Sequence, residues 1–156
     1  METCYIKTPL GIAKIIGDEN GISVISVLSE SEISAKIPEN LQEAVLQIHD
    51  YFDGKRTDFN LKINPKGTDF QQKVWQELSH IPFGKTISYL DLAKKLGDPK
   101  VIRAAASANG KNPLWIVVPC HRVIGTDGSL TGYAGGLWRK KWLLEHENPT
   151  NQQSLF

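Results

Sequence analysis

The 156-residue chain is 40% hydrophobic and 22% charged, the balance of a globular protein with one ordinary domain or two small ones. It has no apolar run of about eighteen residues and no basic start followed by an apolar core, so neither a spanning helix nor a secretory leader is expected. Two cysteines, Cys4 and Cys120, cannot build a disulfide framework, so a free-thiol, cytoplasmic protein is expected. The net charge of +1 conceals an asymmetry: residues 1–65 carry 6 Lys/Arg against 10 Asp/Glu, and residues 66–156 carry 12 against 7. The second half is therefore the one suited to an anionic partner, although ordinary variation in surface charge would look the same.

Residues 3–28 predict a small antiparallel sheet. The turn clusters Thr8-Pro9-Leu10-Gly11 and Gly17-Asp18-Glu19-Asn20-Gly21 separate β-branched runs such as Ile22 to Val27. Pro38-Glu39-Asn40 then opens an amphipathic helix with Leu41, Val45, Ile48 and Phe52 on one face, ended by Gly54. No chemistry is visible here, because His49 is isolated and Cys4 lies near the terminus. This part reads as a support.

Asn64-Pro65-Lys66-Gly67 reads as a linker, which divides the chain into domains 1–66 and 67–156. Thr68 or Asp69 caps a helix bearing Phe70, Val74, Trp75 and Leu78. Ser88-Tyr89-Leu90-Asp91 is a capping box opening a second helix that Gly97 closes. Asp98-Pro99 starts a third, from about Lys100 to Asn109, with Gly110 after it. Two short helices across a glycine turn satisfy a helix-turn-helix and equally a plain helical hairpin. In the later helix Val101, Ala105 and Ala108 face inward, while Lys100, Arg103 and Ser107 share another face. Ala104-Ala105-Ala106 leaves little bulk between that helix and a partner.

The stretch Asn112 to Val123 comes next. Leu114 to Val118 has the bulk of a buried strand or core segment, and Pro119 stops it just before Cys120, His121 and Arg122. Cysteine is a strong nucleophile as thiolate, and an adjacent imidazole or cation favours that form. A buried structural cysteine beside a surface His-Arg pair is the other reading of the same residues. A turn-rich loop follows, Gly125 to Ser129 and Thr131 to Gly136, whose glycines either admit a flat ligand or are simply flexible. A final helix runs from Leu137 to His146, and the polar tail from Asn148 is expected to fray.

Taken together, these motifs resemble the O6-alkylguanine-DNA alkyltransferases, or methylated-DNA–protein-cysteine methyltransferases. Pro119-Cys120-His121-Arg122-Val123 matches that family's active-site signature, Asn112-Pro113 its asparagine hinge and Ser88-Tyr89 its helix-start tyrosine. Arg103 falls at its arginine finger, Tyr133-Ala134-Gly135-Gly136-Leu137 at its pocket loop and His146-Glu147 at its terminal element. The resemblance implies an α/β (α+β) fold, with an N-terminal ribonuclease-H-like sheet-and-helix domain and a C-terminal helical domain containing a helix-turn-helix. It implies stoichiometric transfer of an alkyl group from guanine O6 in DNA to Cys120. His121 would act as base through a water, and Glu147 would orient it. Asn112 would brace the turn, and Tyr89 would donate to guanine N3.

The carbonyls of Cys120 and Val123 are expected to accept from the exocyclic amine, and a backbone N–H near Ala134 to meet O6. The target nucleotide would be flipped out, with Arg103 filling its place from the minor groove of double-stranded DNA. Lys100, Ser107 and Lys140 are the candidate phosphate or groove contacts. Tyr133, Ala134, Val123 and Trp115 are the expected pocket residues; Ala134 lacks the hydroxyl a serine supplies in some relatives, and the bulk of Trp115 is expected to narrow the pocket. With Cys4 and His49 isolated, no metal and no cofactor are expected, and the protein is expected to be a monomer away from membranes. Two rivals stand beside this: a helix-turn-helix protein that recognises the lesion without repairing it, and a Cys-His-Glu thiol hydrolase.

Overall fold

A computed structural model of the chain describes residues 1–149. The backbone groups into two compact units, Met1–Lys66 with Pro113–Trp115, and Gly67–Asn112 with the residues from Ile116 onward.

The first unit is built on a meander of three antiparallel strands, β1 (Glu2–Thr8), β2 (Gly11–Asp18) and β3 (Gly21–Leu28), in that order. Alternation sends Cys4, Ile6, Ala13, Ile15 and Ile25 into the core. Helix α1 (Gln42–Phe52) follows a 3-10 turn. Its buried face is Leu41, Ala44, Ile48 and Tyr51, a stripe rotated slightly from the expected one, with Val45 and Phe52 half-buried at its edge. The Tyr51 ring decides this, because it fills the core 5.5 Å from the Phe59 ring. Gln47 is buried beside it, and its amide exchanges two hydrogen bonds with the Asn60 backbone, at 3.0 and 2.8 Å.

The run Leu114 to Val118 is not a strand. Leu114 alone forms a parallel bridge to Ile25, the Trp115 N–H donates to the Ile25 carbonyl at 3.0 Å, and the chain then turns. The turn requires φ 61° at Ile116, a left-handed conformation rare for a β-branched residue. Asn112 closes it, its Nδ2 donating to the Val118 carbonyl at 2.7 Å.

The second unit is mainly helical: α2 (Asp69–Leu78), α3 (Tyr89–Lys95), α4 (Ile102–Gly110) and α5 (Leu137–Glu147), with the short parallel pair β4 (Ile87–Ser88) and β5 (Val123–Ile124). Thr68 and Gln71 form a full capping box on α2, and Ser88 and Asp91 form one on α3. Gly97, at φ 99°, turns the chain between α3 and a 3-10 turn (Pro99–Val101) that leads into α4, giving the helix-turn-helix arrangement. The Trp75 indole ties α2 to α4 by donating to the Ala108 carbonyl at 2.9 Å.

Asn148, expected at the start of a frayed tail, is held by its amide on the Gly84 carbonyl at 3.0 Å; the tail beyond Pro149 lies outside the described residues. Among the described residues no helix is long and apolar enough to cross a membrane.

Candidate active site

Cys120 and His121 sit in a single 3-10 turn, Cys120–Arg122, between Pro119 and β5. All three side chains are buried, Cys120 at 8% and His121 at 0% exposure. Burial pushes the Cys120 thiol up. The Asn112 side chain, the Lys140 ammonium, the cysteine's own backbone and the Tyr133 side chain all pull the other way. At rest the sulfur therefore carries its proton, in surroundings that favour the thiolate once the proton has somewhere to go.

His121 follows in the same turn. Its Nε2 lies 2.7 Å from Glu147 Oε2, and its buried Nδ1 has no hydrogen-bond partner. Burial lowers its pKa although Glu147 pulls it up, so the ring is neutral and able to accept a proton. Burial also works against the Glu147 carboxylate. The hydrogen bonds and charges of His121 and Arg122 outweigh it and hold the carboxyl well below the usual carboxylate range.

Arg122 is the group that the sequence reading left without a role. Its Nε donates to Glu147 Oε1 at 2.7 Å and its Nη2 to Oε2 at 3.0 Å, a two-toothed pair, while Nη1 donates to the Ile81 carbonyl at 2.6 Å. Glu147 stands in the last turn of α5, where the helix dipole disfavours an anion, so this guanidinium is what keeps the carboxylate in place. Gly84, at φ 80°, lets the backbone before β4 approach the Glu147 carbonyl; a Cβ there would come within 3.1 Å of it.

Lys140 corrects one expectation. It is 0% exposed and cannot reach a phosphate. Its Nζ instead donates to the carbonyls of Val123 at 2.7 Å and Thr131 at 3.0 Å, and lies 5.8 Å from the Tyr89 ring centre. Burial brings its pKa down to about 8, with Cys120 opposing the fall. Lysines 140 and 141 look alike on a basic helix, but α5 turns only the first inward.

A cavity of about 980 Å³ opens beside this cluster, between α4 and the loop before α5. Tyr89, Arg103, Asn109, Tyr133 and Ala134 are among its walls. Tyr89 is the first residue of α3. Burial raises its hydroxyl's pKa, and the neighbouring Thr131 and Asn109 side chains pull it down. Arg103 is exposed at the cavity, and Lys100 and Ser107 are exposed on the same helical segment.

One expected pocket residue is placed elsewhere. Trp115 is not a wall of the cavity: it belongs to the first unit, where its ring lies 5.9 Å from that of Phe52, because the bridge to Ile25 draws it to the sheet. Val123 follows the Cys120–Arg122 turn in β5; its side chain is fully buried, and its carbonyl, the group expected to meet the guanine amine, accepts from Lys140. Asn109 was missed as a site residue; a lone amide at the end of an alanine-rich helix carries no motif.

Cys4 is buried, and burial pushes its thiol up to about 11, so it is a core residue without nucleophilic character. Among the described residues no three His, Cys, Asp or Glu side chains gather in a metal-binding group.

Comparison with known proteins agrees along the whole described chain. Residues 2–65 match the 6-O-methylguanine DNA methyltransferase ribonuclease-like domain, and residues 69–149 match the DNA-binding domain of the same proteins. The methylated-DNA–protein-cysteine methyltransferase of Methanosarcina barkeri is 45% identical over 148 residues, spanning 91% of this chain and 94% of that protein. The crystal structure of the Mycobacterium tuberculosis O6-methylguanine methyltransferase superposes with a TM-score of 0.85 at 40% identity, covering 95% of this chain and 93% of the other. The Mycobacterium tuberculosis protein in complex with DNA gives 0.84 at 40% identity, covering 97% of each chain. This chain belongs to the methylated-DNA–protein-cysteine methyltransferase family.

Proposed function

We propose that this protein repairs O6-alkylguanine in DNA by moving the alkyl group onto Cys120, once per molecule. The observation that carries the assignment of the nucleophile is the relay behind it: a buried cysteine, a neutral His121 with an unpartnered Nδ1, and an ionised Glu147 clamped by Arg122. Sγ attacks the alkyl carbon, the S–C bond forms as the C–O6 bond breaks, and the electron pair passes into the guanine ring. The sulfur's proton goes to His121 Nδ1 through a bridging water; the guanine anion takes one proton at N1 from solvent and His121 returns its own to solvent, so that in sum S–H is exchanged for N1–H. Tyr89 donates to N3 as charge builds on the ring, and the Lys140 ammonium stabilises the thiolate while it exists.

A base within a duplex cannot reach the sulfur of a buried cysteine, so the nucleotide is flipped into the cavity. Arg103 stands exposed at the cavity mouth to replace it, and Lys100 and Ser107 lie on the same exposed side to meet the backbone. The small Ala104 and Ala106 suit a close approach of α4 in the minor groove. One chain supplies every group of the reaction, so the protein acts as a monomer, and a nucleophilic free thiol suits the reducing cytoplasm. We place the functional boundary at residues 66 and 67, where the domain matches also part.

Intact mass after mixing with an equimolar duplex carrying one O6-methylguanine tests the reading. A gain of one methylene per chain, mapped to Cys120 and absent in Cys120→Ser, is the expected result. Tight binding with unchanged mass would instead make the protein a reader of the lesion, and multiple turnovers on an ester would make it a hydrolase.

A further inference from the structure

The expected acceptors for the 2-amino group of a flipped guanine are the carbonyls of Cys120 and Val123, and both already serve the protein. The Cys120 carbonyl accepts from the Val123 N–H and, at 3.4 Å, from Asn109 Nδ2. The Val123 carbonyl accepts from Lys140 Nζ at 2.7 Å. Beside them is an acceptor with nothing to accept. Asn109 is 3% exposed and forms part of the cavity wall, and its Oδ1 is buried with no hydrogen-bond partner.

The orientation of this amide follows from its neighbours. Its nitrogen faces the Cys120 carbonyl, and exchanging nitrogen and oxygen would set two acceptors against each other. The same amide lies near the Tyr89 hydroxyl and pulls its pKa down against burial. The nitrogen is thus committed to the protein, and the oxygen is the side left open. A buried amide oxygen left unpaired costs on the order of 1–3 kcal/mol, a cost removed when a ligand donates to it. Few groups on a purine can do so. On an O6-alkylguanine, N1, N3 and N7 are acceptors and O6 is alkylated, which leaves the exocyclic amine as the donor on the base.

We propose that Asn109 is a specificity-determining residue whose Oδ1 accepts a hydrogen bond from the 2-amino group of the flipped base, so that the pocket selects 2-aminopurines. This rests on the alkyl-transfer reading above and names the part of the substrate that the cavity reads. The same contact fixes the orientation of the Asn109 amide, whose nitrogen faces the Cys120 carbonyl.

The test compares single-turnover methyl transfer from duplexes containing O6-methylguanine or O6-methylhypoxanthine, which lacks the amine, for the wild type, Asn109→Leu and Asn109→Ala. The ratio of the two rates within each protein cancels differences in active fraction. The wild type is expected to favour the guanine, and both variants to reduce that preference by about tenfold, mainly through slower reaction of the guanine substrate. An unchanged ratio in either variant that reacts overturns the proposal. So does loss of reaction with both substrates in both variants, which would assign Asn109 to folding or to the reacting atoms. Absence of transfer from O6-methylguanine to the wild type would overturn the reading beneath it, an outcome that the wild-type arm shows by itself.

Discussion

A lysine at 0% exposure keeps its charge only where a nearby anion or well-placed acceptors compensate the lost water, and Lys140 has two carbonyls and the developing Cys120 thiolate. With its pKa brought down to about 8, this ammonium is charged at neutral pH and is lost within the range in which the protein can be assayed. The sign follows directly. Rising pH favours proton removal from the sulfur, but above pH 8 it also removes the cation that stabilises the thiolate. The transfer rate of the wild type should therefore rise with pH and break near pH 8, flattening or falling beyond it. Lys140→Met should be slower at neutral pH by about tenfold, the kinetic worth of roughly 1.4 kcal/mol, and should show no break. Single-turnover rates across that range decide it: the same break in both proteins would assign the titration to another group. His121 adds nothing on the alkaline side, since its ring is already neutral.

Helix α3 delivers Tyr89 to the cavity from the position directly after its cap, so the cap is also part of the site. The Asp91 N–H donates to Ser88 Oγ at 3.0 Å, and the Ser88 N–H donates to Asp91 Oδ2 at 3.3 Å. Ser88→Ala should lower stability by about 1 kcal/mol and slow transfer further than that loss of folded protein explains, whereas Ser88→Asp should restore both. Thermal melting read beside single-turnover rates separates the two effects; a variant that melts earlier but reacts normally would show that Tyr89 is held by its packing alone. Caps of this kind are why α2, α3 and α4 were legible: Thr68, Ser88 and Asp98-Pro99 are local signals, and the backbone obeys them. The Cys-His turn, Asn112, Tyr89 and the loop with Tyr133 and Ala134 were legible too, because they lie in ordered motifs. What failed was whatever depends on partners distant in sequence. The bulky run from Leu114 reads locally as a buried strand or a core segment, and only the bridge to Ile25 and the left-handed Ile116 explain why it is the second. Lys140 reads as a solvated base until the carbonyls of Val123 and Thr131, 17 and 9 residues away, account for it. The Arg122–Glu147 pair spans 25 residues, and no spacing rule announces it.

Across the whole molecule, the pair's largest consequence is for stability against acid. Glu147 is a carboxylate whose pKa in the folded protein lies below that of the unfolded chain, about 4.3 for an ordinary glutamate. Such a group contributes stability that is fully present above the unfolded value and is lost as pH falls through the range between the two. The share that Glu147 contributes should therefore stay constant from neutrality down to about pH 5 and be lost progressively below about pH 4, beneath the earlier loss that the buried neutral His121 imposes as pH falls through the ordinary histidine range. Glu147→Gln isolates the share of this one residue. At neutral pH it leaves the 6%-exposed Arg122 without its anion, which should cost on the order of 3–5 kcal/mol. As pH falls, the wild type loses what the variant never had, so the gap between their midpoints should narrow steadily and nearly close at the acid end. Urea titrations of both proteins over a series of pH values measure that gap. A gap that stays constant down to acid pH would mean that Glu147 is held by packing and not by charge. It would also remove the ionised carboxylate on which the His121 relay depends.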